Sequence, residues 1–291
     1  MKHIQRIQNA IDFIEKNLDR DFTLPDVSKS AFSALSYMHR VFYQMTGFTM
    51  KDYVRQRRFA ESVKRLRSSQ YSVLDIALRA GFQSAESFSR AFKKHFSITP
   101  SECRCNEHEI NVCQPLDVRN EFEFISPSHL DFEITLEAVS YHQQDILGFL
   151  THTTLAHDQQ VVDICRFANE VITSGKLASH FDLAATPVFG VYTNMNDENE
   201  FDYTIACLKS ACVRPDLSMV EHSIFSSTYA KFTLNRSDRI KQAWHYIYGV
   251  WFPQIDRLRT QGYDFEIYYS DHTDIYIPME RVPLTLMSFG T

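Results

Sequence analysis

The chain contains no run of about 18 consecutive apolar residues, the length a helix needs to cross a bilayer, although 44% of its 291 residues are hydrophobic. A helical membrane span is therefore not expected. The opening stretch MKHIQRIQNAIDF has neither the apolar core nor the small-residue cleavage site of a secretory signal. A cytoplasmic location is the expectation. Cysteine is sparse: Cys103, Cys105, Cys113, Cys165, Cys207 and Cys212 show no framework spacing. A disulfide scaffold is excluded, and the thiols are expected to be reduced. HExxH, GxSxG and P-loop signatures are all missing, so the sequence points to no enzyme class and no cofactor. Only CRCNEHEINVC gathers metal-ligand types, in Cys103, Cys105, His108 and Cys113. Structural zinc sites use a C-x-x-C knuckle and C-x-C is a poor one, so this segment reads as a solvated linker without metal.

Base is short of acid, with 30 Lys/Arg against 36 Asp/Glu and a net charge of −6. The deficit is not uniform. Residues 1–104 hold 18 Lys/Arg and 10 Asp/Glu, a net +8, so residues 105–291 hold 12 and 26, a net −14. Such asymmetry implies two domains with different partners. The basic one suits a polyanion, although a basic face can also be merely solvated.

What is present in the first part is helical periodicity. Ile4, Ile7, Ile11 and Ile14 form a stripe. Thr23 is a plausible cap for a second helix, with Pro25 and Asp26 in its first turn. Met38, Val41, Phe42 and Met45 make another stripe, which Gly47 ends. A long helix from about Met50 to Leu66 follows, with Tyr53, Val54, Ala60, Val63 and Leu66 expected inside. The pattern then returns. Phe88, Ala91, Phe92 and His95 repeat the stripe of Met38 to Met45 fifty residues on, and Arg90 matches Arg40. This is a duplicated helix–turn–helix.

The opposite face of each second helix is the candidate reading surface. In the first copy it carries Ser36, Tyr37, His39, Arg40 and Tyr43; in the second, Ala85, Glu86, Ser89, Arg90, Lys93 and Lys94. Arg suits guanine, Ser several bases, Glu the cytosine amino group, Tyr and Lys the backbone. The helix N-terminus at Ser84 suits a phosphate. One such helix alone would read as a solvated surface; two in a +8 domain point to duplex DNA.

Residues 4–104, and above all VLDIALRAGFQSAESFSRAFKKHFSITPSECR, resemble the AraC/XylS family of transcription regulators. The family pattern is I-A-x-x-x-G-F-x-S-x-x-x-F-x-R-x-F-K-x-x-x-G-x-T-P-x-x-x-R. Ile76, Ala77, Gly81, Phe82, Ser84, Phe88, Arg90, Phe92, Lys93, Thr99, Pro100 and Arg104 fit it, and Ser97 replaces the late glycine. In the first copy the turn glycine falls on Phe32 and the capping serine on Ala34, with Ser33 as a substitute cap. The resemblance implies two recognition helices in successive major-groove segments, about 34 Å apart.

After a linker the pattern changes to alternating strands, as in FEITLEAVSY. Helical QQVVDICRFANEVITS, strand TPVFGVYTNM and a second round opening at FDYTIACLKSACV follow. The expected organisation is thus an all-α double helix-turn-helix domain at 1–104, a linker at 105–120, and an α+β domain at 121–291 with two pseudo-repeated β-β-α-β units.

The order of AKFTLNRSDRIKQAWHYIYGVWFP, FEIYY and DIYIPM resembles the GyrI-like effector-binding domain of Rob-like regulators. That resemblance implies an aromatic cleft for a small, often cationic, amphipathic effector, with Glu266 in the cleft. Strand alternation puts Tyr268 on the face of Glu266. Trp244, Tyr248 and Trp251 share one helix face, with core packing their first use and pocket lining their second. Tyr203, after the acidic loop of Asp197, Glu198, Glu200 and Asp202, borders the cleft. The function implied is a DNA-binding transcription regulator, by default an activator that recruits RNA polymerase and works as a monomer or dimer. A small-molecule hydrolase and a protein-interaction module are the alternatives for the acidic domain.

Overall fold

The computed structural model describes residues 3–105, 109–121, 130–196, 198–252, 255, 259–260 and 262–280. The chain divides into two compact units, Met1–Glu123 and Phe124–Thr291. Among the described residues no helix is long and apolar enough to cross a membrane.

The first unit is helical. Helix α1 (His3–Asn17) buries Ile7, Ile11 and Ile14, while Ile4 near its end is half-buried. Helix α2 (Leu24–Ser30) opens on a capping box in which Thr23 N donates to Asp26 at 2.9 Å. Helix α3 (Leu35–Thr46) buries Met38, Val41 and Phe42. Helix α4 (Met50–Ser68) buries Tyr53, Ala60, Val63 and Leu66, with Val54 half-buried. It also buries Arg57 and Phe59, which the apolar stripe did not predict. Helices α5 (Val73–Arg79), α6 (Ala85–Phe96) and α7 (Pro100–Cys105) complete the second motif. Phe59 is the hub of its core, with the Phe82, Phe88 and Phe92 rings 5.9, 6.2 and 6.0 Å away. His95, expected on the core stripe, is an exposed residue whose ring still stacks on Phe59 at 5.1 Å.

The duplication leaves a mark on the backbone. Each motif needs a left-handed residue in its turn and another at the end of its reading helix. The turn positions are Phe32 (φ 51°) and Gly81 (φ 82°); the end positions are Gly47 (φ 73°) and Ser97 (φ 64°). Each copy therefore keeps one glycine and holds one ordinary side chain in a conformation that costs it about 1–2 kcal/mol. In the first copy the caps weaken too. Ala34 stands at the N-cap of α3 without a side-chain bond, and Ser33 Oγ turns to the Ala31 carbonyl rather than capping. In the second, Ser84 Oγ accepts from Ser87 N at 3.1 Å. Phe32→Gly is expected to raise stability by up to about 1 kcal/mol in urea denaturation. Gly81→Ala is expected to lower it by about 2 kcal/mol, from the left-handed backbone and from crowding of its neighbour. A Cβ there would lie 2.4 Å from Nη1 of Arg58, whose guanidinium is held on the Leu18 and Arg20 carbonyls.

The segment read as a solvated linker is ordered along the helical unit from residue 109 and ends in α8 (Val118–Glu121). His108 of the weighed zinc set lies outside the described residues. Cys103 is buried in the second motif's core and Cys105 is exposed.

The second unit holds β1 (Ile134–Tyr141), β2 (Gln144–Thr154), α9 (Gln159–Ala168), β3 (Val188–Thr193), β4 (Glu200–Leu208), β5 (Val220–Ile224), β6 (Ser227–Leu234), α10 (Ile240–His245), β7 (Asp264–Tyr268) and β8 (Thr273–Met279). Both helices widen into π turns, over Asn169–Thr173 and Tyr246–Trp251. All eight strands form one antiparallel sheet, ordered β1-β6-β8-β7-β3-β4-β2-β5. Exchanging β1–β4 with β5–β8 reverses this order onto itself, so two repeats are related by a pseudo-twofold between β3 and β7. Each repeat is β-β-α-β-β, one strand longer than the sequence suggested. FDYTIACL forms β4, which pairs with β2 and β3 and closes the first repeat rather than opening the second.

One sheet face meets the helices; the other curls on itself around Ile146, Phe189, Val191, Phe265, Ile267 and Tyr276. The curl is evident at Tyr141, whose strand is three places from β7, about 14 Å at ordinary strand spacing. Its ring still lies 5.2 Å from Phe265.

Candidate functional site

The first candidate surface is the outer face of α6. Phe88 and Phe92 anchor the helix, which leaves Ser84, Glu86, Arg90, Lys93 and Lys94 exposed and Ala85 and Ser89 half-buried. Ser89 Oγ donates to the Ala85 carbonyl at 2.6 Å. Arg90 and Glu86 approach to 3.8 Å with side chains 76% and 81% exposed. A pair this open contributes little, so the guanidinium remains available to another acceptor.

Helix α3 differs. Ser36 lies in its first turn, and Arg40 and Tyr43 are half-buried. Tyr37 and His39, expected to point outward, are 6% and 0% exposed. At 100° per residue they stand about 90–110° to either side of the Met38–Val41–Phe42–Met45 stripe. They are its shoulders, not its back, and burial extends to them. Of the outward set expected on α3, Arg40 and Tyr43 keep partial exposure.

The second candidate site is built on β7 at the pseudo-twofold. Glu266 is 1% exposed, yet its carboxylate has a donor for every lone pair. Tyr192 Oη donates to Oε1 at 2.8 Å, and the Trp244 indole N–H donates to the same oxygen. Tyr203 and Tyr268 donate to Oε2 at 2.9 and 2.5 Å. Four donors offset the cost of burying one charge. Burial, and then the Glu266 charge, push the phenols of Tyr203 and Tyr268 well above their ordinary pKa, so both remain protonated donors. The rings of Tyr192, Trp244 and Tyr268 are half-buried, whereas Tyr203 is fully inside.

Register explains how the group fits. Gly190 of β3 lies directly opposite Glu266. A Cβ on Gly190 would fall 2.1 Å from Tyr203 Oη and 2.8 Å from Glu266 Oε2, so only glycine leaves room. Tyr192 and Tyr268 are equivalent under the pseudo-twofold, as are Gly190 and Glu266. Tyr192 and Gly190 were not anticipated, although Gly-x-Tyr in FGVYT matches Glu-x-Tyr in FEIYY 76 positions later.

The other predicted aromatics divide. Tyr248 stacks on Trp244, with ring centroids 5.8 Å apart, but its hydroxyl donates to Asp264 at 2.5 Å. Asp264 is buried and bonded by Arg259 at 2.8 and 3.0 Å. Trp251 packs on Phe232 at 4.8 Å and belongs to the core. In the acidic loop, Asn196 Oδ1 accepts from the amides of Glu198 and Glu200. Asp202 accepts from Asn194 at 2.7 Å, and Asp197 lies outside the described residues. Among the described residues no group of three or more His, Cys, Asp or Glu is placed to hold a metal.

A doubled helix–turn–helix joined to a pseudo-symmetric α+β unit with a carboxylate under aromatic rings defines a DNA-binding regulator with a small-molecule domain. A family profile described as a helix-turn-helix domain matches residues 28–106, and a GyrI-like small molecule binding domain matches residues 144–280. The chain belongs to the AraC/XylS family of transcription regulators, and its second unit matches a GyrI-like small molecule binding domain. It is 38% identical over 105 residues to the transposon Tn10 TetD protein of Escherichia coli, covering 36% of this chain and 76% of that protein. It is 35% identical over 104 residues to the regulatory protein SoxS of Salmonella typhimurium, covering 36% of this chain and 97% of that one. The transcriptional regulator Rob of the same organism is 25% identical over 280 residues, 90% of each chain.

Proposed function

We propose that this regulator is an activator. It reads duplex DNA with α6 and with Ser36, Arg40 and Tyr43 of α3, recruits RNA polymerase, and answers to a small cationic amphipathic effector in its C-terminal unit. One chain brings two reading helices, so a monomer suffices for binding. Its place of action is the cytoplasm, where bacterial DNA lies.

The observation that carries the effector class is Glu266: a buried charge beneath the half-buried residues Tyr192, Trp244 and Tyr268. A cation on those rings gains from their π faces and from the charge below. The same geometry argues against catalysis. A carboxylate offers about four lone-pair sites, and four donors occupy them, so Glu266 acts as a fixed charge rather than a general base.

Trp244 is one of two tryptophans in the chain, so its emission reports on the site. Benzyltrimethylammonium and its uncharged isostere neopentylbenzene, titrated against the full chain, separate charge from shape. The cation is expected to bind at least about tenfold more tightly, a difference of about 1.4 kcal/mol. Equal affinities would refute the cationic reading.

A further inference from the structure

Residues 109–121 run across both DNA-reading motifs. Ile110 and Val112 pack on the core of the second motif. The Cys113 carbonyl then accepts from Arg57 Nη1 at 2.5 Å, and Leu116 N donates to Tyr53 Oη at 3.1 Å, both on α4. Val118 N donates to Gln8 Oε1 on α1 at 3.0 Å, and the Val118 side chain is buried. Helix α1 in turn packs on α2 and α3 of the first motif.

The groups this segment engages are themselves locked. Arg57 Nε and Nη2 each bond Glu15 of α1 at 2.9 Å, and Tyr53 Oη donates to Glu15 at 2.8 Å. Arg57 and Tyr53 are both buried. An Arg–Glu pair inside a protein is stable only when its remaining N–H groups find partners. The Cys113 carbonyl supplies one. The strap thus runs from the second core to α1 and joins the two motifs alongside α4 and the Asp19–Arg79 ion pair at 3.8 Å.

We propose that residues 109–121 form a splint that fixes the spacing of the two reading helices, with Gln8, Tyr53 and Arg57 as positioning residues for two-segment DNA recognition. Two readers on a rigid frame bind as a bivalent unit, and that advantage falls away when geometry no longer lets both engage at once.

The test uses the full chain and a duplex selected from random sequence by the unaltered protein. A second duplex has the segment protected by α3 scrambled. Gln8→Met removes the acceptor for Val118 N at nearly constant volume. Tyr53→Phe removes the acceptor for Leu116 N and keeps the ring. In the double variant, amide exchange at Leu116 and Val118 is expected to accelerate. Affinity for the intact duplex is expected to fall about tenfold, while affinity for the scrambled duplex stays within about twofold. Gln8→Met alone, the milder change, gives the same split at smaller size. Equal losses on both duplexes would mean that the variants merely damage the fold. Unchanged affinity on both, or amides that do not loosen, would likewise overturn the splint.

Discussion

Glu266→Gln is expected to lower the stability of the C-terminal unit by about 1–3 kcal/mol, the cost of an unsatisfied buried donor. The carboxylate accepts from Tyr192 and Trp244 on one oxygen and from Tyr203 and Tyr268 on the other. Glutamine keeps a single acceptor oxygen. An indole N–H only donates, so that oxygen stays with Trp244, and the new NH2 group faces Tyr203 and Tyr268. Those phenols can accept from it, but their own protons then compete for too few acceptors. The two hydroxyls are 3.5 Å apart, so one can turn to the other, and at least one proton is stranded. Urea denaturation followed by tryptophan emission measures the loss. The same substitution removes the charge, so affinity for benzyltrimethylammonium is expected to fall about tenfold or more while that for the neutral isostere holds. A variant as stable as the parent would show that the four donors do not depend on the carboxylate.

Arg90→Ala is expected to cost about 1–3 kcal/mol on a selected duplex and far less on random DNA. Arg90 stands on the outer face of α6, and its pairing with Glu86 is a loose surface contact at 3.8 Å. Lys93 and Lys94, also exposed, suit phosphates. Replacing either by alanine is expected to weaken all sequences alike and to flatten the slope of log K against log salt by about one. Gel-shift titrations at several salt concentrations distinguish the two behaviours. An Arg90→Ala loss of equal size on both duplexes would reassign Arg90 to the backbone.

Where the sequence repeated a local rule, the structure was legible from it. The stripe of Phe88 and Phe92, the Ser84 cap and the Thr23–Asp26 start depend on neighbours within one turn. The left-handed turn at Phe32 was marked because its counterpart is Gly81. Glu266 and Tyr268 were placed on one face by strand alternation alone. Other features were hidden for definite reasons. Tyr37 and His39 lie at the edge of a stripe, where periodicity gives no sign of burial. The splint is held largely through backbone groups of residues 113, 116 and 118, and these leave little side-chain pattern. Tyr192 and Gly190 reach Glu266 only through long-range strand pairing, which local composition does not encode.

The pairing of Gly190 with Glu266 across the pseudo-twofold bears on how such a site can arise. Two identical halves would place either two glycines or two glutamates at this point. The first gives no charge; the second sets two carboxylates into a space where even one added Cβ falls 2.1 Å from a hydroxyl. With the neighbours present here, a symmetric pair of halves does not accommodate this carboxylate. The carboxylate therefore depends on the two halves differing at one residue pair, and that difference gives the domain its polarity.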